Sequence, residues 1–323
     1  MKILIFGRGV IATQYAWALE KVGHTVEFYV RPGRTIQYGS KINLDIIDGR
    51  TKPRVKIRKT WAVTFREDLN TEHDYDLIIL SLNHNQIAEA AKFLAPRIGN
   101  ATVLVFNNFW EEPQKSVEPL PLNQIVWGFP SGGGGFDKND ILKGGFMKTI
   151  FIGHIGNVAN PERYKSVCSL FQNAGFKITE EKDFRSWLWF HFVLAAGMAA
   201  IALKVGGYSK LLDSPSYLKE SILLTREMLP LLKAKGDKPK IGSLVILHLP
   251  AGLMGFLLQK IMAKGTFPRY IMDQSENSGH TSYGPTSLYA RDVLAEARLL
   301  GVPLPNLEAL EPYFKWLDKE NKS

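Results

Sequence analysis

The chain offers almost no sulfur chemistry: one cysteine, Cys168, in 323 residues. A single thiol excludes an intramolecular disulfide and a cysteine-based metal site, fits a reducing compartment, and is expected to be a small buried core residue. No metal site is expected, and redox chemistry must come from a cofactor. Clean hydrophobic spans are also missing. The two apolar stretches, Trp187 to Leu203 and Ile241 to Ile261, are broken by His191 and by His248, Pro250 and Gly252, so they read as buried helices of a helical domain and no membrane is expected. The opening Met-Lys-Ile-Leu-Ile-Phe-Gly runs straight into a glycine turn without the pattern of a secretory leader, which makes a cytoplasmic location the expectation. Acidic excess is absent too, the formal charge being +9. The basic residues are scattered, with a loose cluster from Arg50 to Arg66, and no helix-turn-helix, zinc or RNA-binding signature accompanies them. Nucleic acid is therefore not an expected partner, and the charge serves a solvated face or a cleft that attracts phosphorylated or carboxylate ligands.

What the chain does have is an ordinary globular composition, 45% hydrophobic and 22% charged, with length enough for two domains. Apolar runs at Lys2–Phe6, Thr25–Val30, Leu77–Ser81 and Thr102–Phe106 alternate with helical patterns near Val10–Val22 and Asn85–Leu94, the rhythm of a parallel sheet. Further strands are predicted at Gln124–Gly128, Thr149–Ile152 and Phe176–Thr179, with a helix at Pro161–Ala174 whose proline suits a first turn. From Asp183 the pattern turns to long helical stretches, roughly 184–205, 216–234, 241–263, 284–300 and 306–318, separated by Pro239, the Gly265–Pro268 turn and the polar segment Asp273–Ser282.

Residues Gly7-Arg8-Gly9-Val10-Ile11-Ala12 have the Gly-x-Gly-x-x-Ala form of a dinucleotide fingerprint, and they sit between a strand and a helix. Gly7 permits the tight turn, Gly9 lets backbone amides approach a pyrophosphate, and Ala12 is small enough for the helix to pack on the sheet. The helix N-terminus adds unpaired N–H groups and positive dipole. After the second strand, where an acidic residue would accept from a ribose 2′-hydroxyl, the chain has Arg31, with Arg34 nearby. A guanidinium suits a 2′-phosphate, so NADP(H) is favoured over NAD(H). The expected fold is α/β: a Rossmann-type parallel-sheet domain over residues 1–181 that binds NADP(H), then an all-helical domain over residues 182–323 for substrate and dimerisation.

This combination resembles the ketopantoate reductase (2-dehydropantoate 2-reductase) family, and the resemblance spans most of the chain. Ser81-Leu82-Asn83-His84-Asn85-Gln86 stands where the family has Val-Lys-x-x-Gln, so Gln86 matches and Asn83 replaces the lysine. Phe106-Asn107-Asn108 stands where the family has an Asn-Gly pair beside the nicotinamide and substrate. The resemblance thus implies cofactor contacts from Ser81, Asn83, Gln86 and Asn107, the last also a catalytic candidate. Phe129-Pro130-Ser131 and Gly132–Gly135 resemble a Phe-Pro-Gly-Ala-Gly-Gly stretch, and line the cleft or form a flexible loop.

Departures concentrate in the second half. Leu188-Trp189-Phe190-His191 matches the family's Leu-Trp-x-Lys, whose lysine is the proposed acid toward the keto oxygen, with His191 in the lysine position. Protonated His191 would be a proton donor near neutral pH, although burial among Trp187, Trp189, Phe190 and Phe192 would disfavour its charged form. The polar stretch Asn277–Ser282 falls where the family has Ser-Ser-Met, which makes His280 and Ser282 candidate substrate contacts, while Gly284-Pro285 stands where the substrate-binding glutamate is sought. Glu276 is a candidate to orient a neighbouring histidine. Ala297 to Pro305 returns to the family's Ala-x-x-x-Gly-x-x-x-Pro close. The resemblance implies an NADPH-dependent reductase of a small 2-oxo acid or related ketone, with altered catalytic residues, and the apolar surface of the helices Trp187–Leu203 and Ile241–Ile261 predicts a homodimer. The alternative is a non-catalytic NADP(H)-binding sensor or partner-binding protein.

Overall fold

A computed structural model of the chain describes residues 1–156, 160–238, 245, 246, 248–279 and 281–315. It divides into two compact units, Met1–Arg185 and Ser186–Ser323. The first unit runs β1 (Lys2–Phe6), α1 (Val10–Glu20), β2 (Thr25–Tyr29), α2 (Arg34–Tyr38), β3 (Lys41–Gly49), β4 (Val55–Ala62), β5 (Thr64–Arg66), β6 (Leu77–Leu80), α3 (Ile87–Leu94), β7 (Thr102–Phe106), α4 (Pro113–Ser116), β8 (Ile125–Phe129), β9 (Gly132–Phe136), β10 (Ile141–Met147), β11 (Thr149–Gly153), α5 (Pro161–Asn173) and β12 (Lys177–Glu181).

Eight of these strands form one sheet in the order β12-β11-β8-β7-β6-β1-β2-β5. Every pairing in it is parallel except β8 with β11. The central strands β6 and β7, Leu-Ile-Ile-Leu and Thr-Val-Leu-Val-Phe, are buried along their whole length, as parallel strands covered on both faces must be. The strand order reverses at β1, flanked by β2 on one side and β6 on the other, and the carboxyl ends of strands at such a reversal form a ligand crevice. The core around α1 is aromatic: Tyr15 stacks on Phe176 at 4.9–6.1 Å from its four ring neighbours, which include Phe106, Phe146 and Phe171. Arg50 lies over Trp17, Phe146 and Phe176, its charge met by Asp48 at 2.7 Å and its Nη1 donating to the Ala174 carbonyl. Cys168 is a buried core residue, as expected, and burial pushes its thiol up to about 11.

A second sheet, β4-β3-β10-β9, escaped the sequence reading. Its β3 buries Ile42, Leu44 and Ile46 on alternate positions, whereas β4 carries part of the Arg50–Arg66 basic cluster on an exposed face, with Lys56 and Arg58 both on Asp45. The glycine run, read as cleft lining or a flexible loop, is strand β9, paired antiparallel with β10. Glycine is required there by close backbone approach. A Cβ on Gly134 (φ +134°) would press into the Lys143 carbonyl, and one on Gly144 (φ +137°) into the Gly133 carbonyl. Strand β9 also lies against α1, where Gln14 Nε2 donates to the Gly133 carbonyl at 3.0 Å and the Tyr15 hydroxyl accepts from Ser131 N–H at 3.1 Å.

The second unit is helical among its described residues: α6 (Phe184–Val205, entered from the end of the first unit), α7 (Tyr208–Asp213), α8 (Pro215–Ala234), α9 (Ala251–Ile261), α10 (Phe267–Asn277), α11 (Tyr283–Leu299) and α12 (Pro305–Ala309). Helix α8 starts on Ser214, whose hydroxyl accepts from Tyr217 N–H, with Pro215 in the first turn. Small residues set the helix contacts. A Cβ on Gly197 of α6 would meet Thr225 Oγ1 of α8 at 2.7 Å, and one on Gly255 of α9 would meet Lys219 N at 2.9 Å. Helix α6 is long and apolar enough to cross a membrane by length and composition, but 56% of its apolar window is buried inside the molecule.

Three boundaries differ from the sequence reading. Asp273–Asn277, taken as part of a polar spacer, completes α10: Arg269, only 3% exposed, pairs with Asp273 at 2.7 Å and Asp213 at 2.6 Å, so these polar residues bind one another rather than mark a loop. Within the helix expected over 241–263, Val245, Ile246 and His248 are helical and the helix resumes as α9 at Ala251 with Pro250 as its N-cap, while residues 239–244 and 247 lie outside the described residues. The last helix is short, followed by a 3₁₀ turn at Glu311–Tyr313, and the chain beyond residue 315 is not described.

The glycine contacts give a contrast measurable by urea denaturation. Gly134→Ala is expected to destabilise the protein by about 3 kcal/mol or more, since both its φ and the facing carbonyl reject a methyl group. Gly252→Ala, in α9 with nothing within 4 Å of the added Cβ, should instead stabilise by about 0.5 kcal/mol.

Candidate functional site

The fingerprint forms the turn its residues call for. Gly7 follows β1 with φ +95°, which L side chains rarely adopt, and its N–H donates to the Tyr29 carbonyl of β2 at 2.9 Å. Gly9 is the N-cap of α1, whose first turn contains no acidic residue and whose cap receives no side-chain hydrogen bond. Val10 and Ala12 are buried, Ile11 is half-buried, and a Cβ on Gly9 would already touch the Ser81 carbonyl at 3.6 Å. The first turn of α1 thus receives no side-chain cap and no acidic residue, and the Ser81 carbonyl and Leu82 side chain after β6 lie beside Gly9 and Gly7 at the strand-order reversal.

Beyond β2, Arg31 is exposed. Arg34 opens α2 and hydrogen-bonds Gln37. A residue unremarked in the sequence organises this loop: Glu67, just past β5, accepts from Thr35 N–H at 2.7 Å and Thr35 Oγ1 at 2.5 Å. Those bonds, the Thr35 hydroxyl foremost, hold the Glu67 carboxyl below its usual pKa. The register of β5 on β2, Arg66 opposite Tyr29, sets Glu67 beside the loop, a long-range pairing with no local sequence signal.

Asn107 is 5% exposed at the end of β7. Its Oδ1 accepts from Leu82 N–H at 3.1 Å and its Nδ2 donates to the Asn108 carbonyl at 2.8 Å. The amide therefore ties the segment after β6 to the end of β7. That segment begins at half-buried Ser81, and Gln86 Oε1 accepts from Asn83 N–H at 3.3 Å to turn the chain into α3. Ser81, Asn83, Gln86 and Asn107 are brought together at the same edge as the fingerprint, with Asn107 as their tether.

In the second unit, His191 is half-buried and stacks on Trp187, one helical turn earlier, at 5.3 Å and 3° between ring planes. Burial pulls its imidazole down to about 4, so at neutral pH it is uncharged. Burial thus disfavours the protonated donor expected from the sequence and favours a neutral ring with one N–H and one lone pair. Glu276 does not orient a histidine among the described residues: its carboxylate accepts from Ser209 N–H at 3.0 Å and from the Ser209 hydroxyl, at the start of α7. Ser282 is exposed at the N-cap of α11, and its side chain makes no capping bond. His280 lies outside the described residues. Lys204, another basic residue of α6, is committed to Glu220 at 2.5 Å.

These features define an α/β protein with a Rossmann-type sheet unit followed by a helical unit. Residues 3–156, most of the first unit, match the family model of the ketopantoate reductase PanE/ApbA, consistent with a divergent relative of that family. Among curated proteins no sequence matches it. Solved structures share its fold over nearly the whole chain at low identity. A PanE/ApbA family ketopantoate reductase from Ralstonia eutropha JMP134 has a TM-score of 0.68 at 15% identity, covering 100% of both chains. The probable 2-dehydropantoate 2-reductase of Bacillus subtilis gives 0.65 at 18%, covering 98% of this chain and 99% of its own. A D-mandelate dehydrogenase solved with NADH and anilino(oxo)acetate gives 0.68 at 12%, covering 98% and 97%.

Two outcomes follow for the site's supports. Asn107→Leu keeps the branched shape but leaves the half-buried Leu82 N–H without its acceptor, and should cost about 1–3 kcal/mol in urea denaturation. For His191 the folded pKa lies below the unfolded value of 6.5, so the unfolded chain binds the extra proton as pH falls from about 6.5 to about 4. Folding stability is therefore full above that window and declines through it. His191→Gln should flatten this decline, by at most about 3 kcal/mol, in denaturation midpoints measured between pH 7 and pH 4.

Proposed function

We propose that this protein is an NADPH-dependent reductase of a small 2-oxo acid or related ketone, ketopantoate reductase-like but with a changed proton-donor position. The observation that carries the reading is the uncapped, acid-free N-terminus of α1 behind Gly7 and Gly9, together with a β2 loop that carries the exposed Arg31. Gly7, Arg8, Gly9, Val10, Ile11 and Ala12 hold the pyrophosphate through backbone N–H groups and the helix dipole. Arg31 takes the 2′-phosphate, which supports NADP(H) over NAD(H), while Glu67 pins the loop that presents it. Ser81, Asn83 and Gln86 border the same crevice, and Asn107 fixes their segment through Leu82.

The cofactor, when bound, supplies hydride. The protein's own part is to bind and polarise the keto group. His191, uncharged near neutral pH, serves as an N–H donor to the substrate oxygen, and His280 and Ser282 are proposed substrate contacts. A neutral imidazole stabilises the developing alkoxide without itself supplying a ready proton, which then comes from water. Self-association is proposed through α9, where Leu253, Phe256, Leu257 and Ile261 are between 47% and 59% exposed, an apolar face that a second copy would cover.

A second reading, an NADP(H)-binding sensor without turnover, is favoured by the same neutral His191. Titration with NADPH and NADH followed by calorimetry is decisive for the cofactor. Tight NADPH binding is expected, with Arg31→Ala loosening NADPH by about tenfold and NADH hardly at all; equal affinity for both in the wild type would remove the NADP(H) assignment. Turnover across 2-oxo acids and ketones then separates enzyme from sensor. His191→Ala should lower kcat while sparing the NADPH Kd, and a wild type that turns over nothing leaves the sensor.

A further inference from the structure

The second residue of the fingerprint, Arg8, does not project into solvent as a side chain in a surface turn ordinarily would. Its side chain is 7% exposed. The guanidinium is sandwiched between two rings from distant parts of the sequence, Phe136 at 4.0 Å and Tyr38 at 4.7 Å. Nη2 donates to Asp140 Oδ2 at 2.6 Å. Asp140 is itself held in an unusual place, with φ +57° at the end of the β9–β10 turn. That turn is braced by Asp137, which accepts from Asn139 N–H at 2.9 Å and Ile141 N–H at 3.0 Å and pairs with Lys143 at 3.0 Å. An arginine flanked by two rings and anchored at one corner has lost its rotamer freedom in advance of any binding event.

One atom of this arrangement is unaccounted for. Arg8 Nε is buried and has no hydrogen-bond partner among the described residues. A buried guanidinium N–H that forgoes a hydrogen bond is costly, and such an atom calls for an explanation. Nε is also the guanidinium nitrogen nearest its own backbone, and that backbone is the loop between Gly7 and the N-cap Gly9. It is therefore within one side-chain stem of Gly9, the N-cap of α1, which no side chain caps.

Resting on the nucleotide reading above, we propose that Arg8 is a preorganised phosphate-binding residue of this chain, its Nε–H donating to a phosphate oxygen of the dinucleotide seated at the N-terminus of α1, with Phe136, Tyr38 and Asp140 fixing the guanidinium. This adds a cation to the fingerprint loop itself, separate from Arg31 beyond β2. The pyrophosphate and the 2′-phosphate present the same chemistry, and two nucleotides distinguish them: NADH has only the first, NADPH has both.

The test measures Kd for NADPH and NADH on wild type, Arg8→Met and Arg8→Lys, each at two ionic strengths, alongside thermal melting. Methionine keeps an apolar stem between the rings and removes every donor. Lysine keeps the charge and the contact with Asp140 but has no Nε. Arg8→Met is expected to weaken binding about tenfold and to reduce its dependence on ionic strength, a change that loss of a packing contact alone would not produce. Equal weakening for both nucleotides places Nε on the pyrophosphate, and weakening for NADPH alone places it on the 2′-phosphate. Should Arg8→Met fail to fold, Arg8→Lys decides: several-fold weaker binding at an unchanged melting temperature supports the assignment. Wild-type affinity in a folded Arg8→Met, or in Arg8→Lys, overturns it while leaving the nucleotide site in place. A wild type that binds neither nucleotide overturns both readings together.

Discussion

At Gly132–Gly134 and Gly144–Gly145 two backbones approach each other more closely than any side chain permits, and the organisation of the first unit depends on that approach. It lets the β9–β10 hairpin lie against α1, where Gln14 and Tyr15 bind its backbone. Because the hairpin is held there, its turn carries Phe136 and Asp140 onto Arg8, in the loop that starts α1. A glycine run that resembles a linker in composition is thus a packing device. Its lack of side chains is what brings charged and aromatic groups from residue 136 onward to the fingerprint. Adding a single methyl group would push the hairpin outward, and the Arg8 contacts would be lost along with the strand pairing.

Legibility in the sequence followed the range of the interactions. The unit from β1 through α1 to β2 was readable because its signals are local: an apolar run, two glycines at fixed spacing, a small residue one turn into the helix. The change to helices after Asp183 was equally local, a matter of apolar periodicity. The second sheet was not readable, although β3 alternates cleanly, because its partners β4 and β10 are set by pairings across as many as 98 positions, Lys41 to Ala62 on one side and Asn43 to Ile141 on the other. Polarity misled at Asp273–Asn277 for a related reason. Asp273 and Glu276 are polar because they serve Arg269 and Ser209, and a solvent-facing loop and a satisfied ion network have the same composition.

The candidate site divides in the same way. Gly7, Gly9 and Arg31 could be named from spacing alone. Glu67, Tyr38, Phe136 and Asp140 could not, since each acts on a residue from another part of the fold. Asn107 was legible as a position but not as a tether: its Oδ1 takes the Leu82 N–H and one of its two amide hydrogens goes to the Asn108 carbonyl, which holds the loop after β6 whatever else the amide binds. A family motif can identify such an asparagine, whereas only the hydrogen-bond partners distinguish a contact from a support.

Charge is distributed unevenly across these candidates, and the distribution constrains how the proposed reductase would work. Arg8, Arg31 and Arg34 belong to the loops after β1 and β2, whereas His191 is an uncharged ring stacked on Trp187. Restoring a lysine at position 191 would not simply return a cation to the chemistry. Burial that pulls an imidazole down to about 4 would depress an ammonium as well, and the new amine would be charged only in so far as the helix opened to water. On the proposed reading, the phosphate contacts would supply the binding energy and a neutral His191 would contribute a directed hydrogen bond in place of a charge.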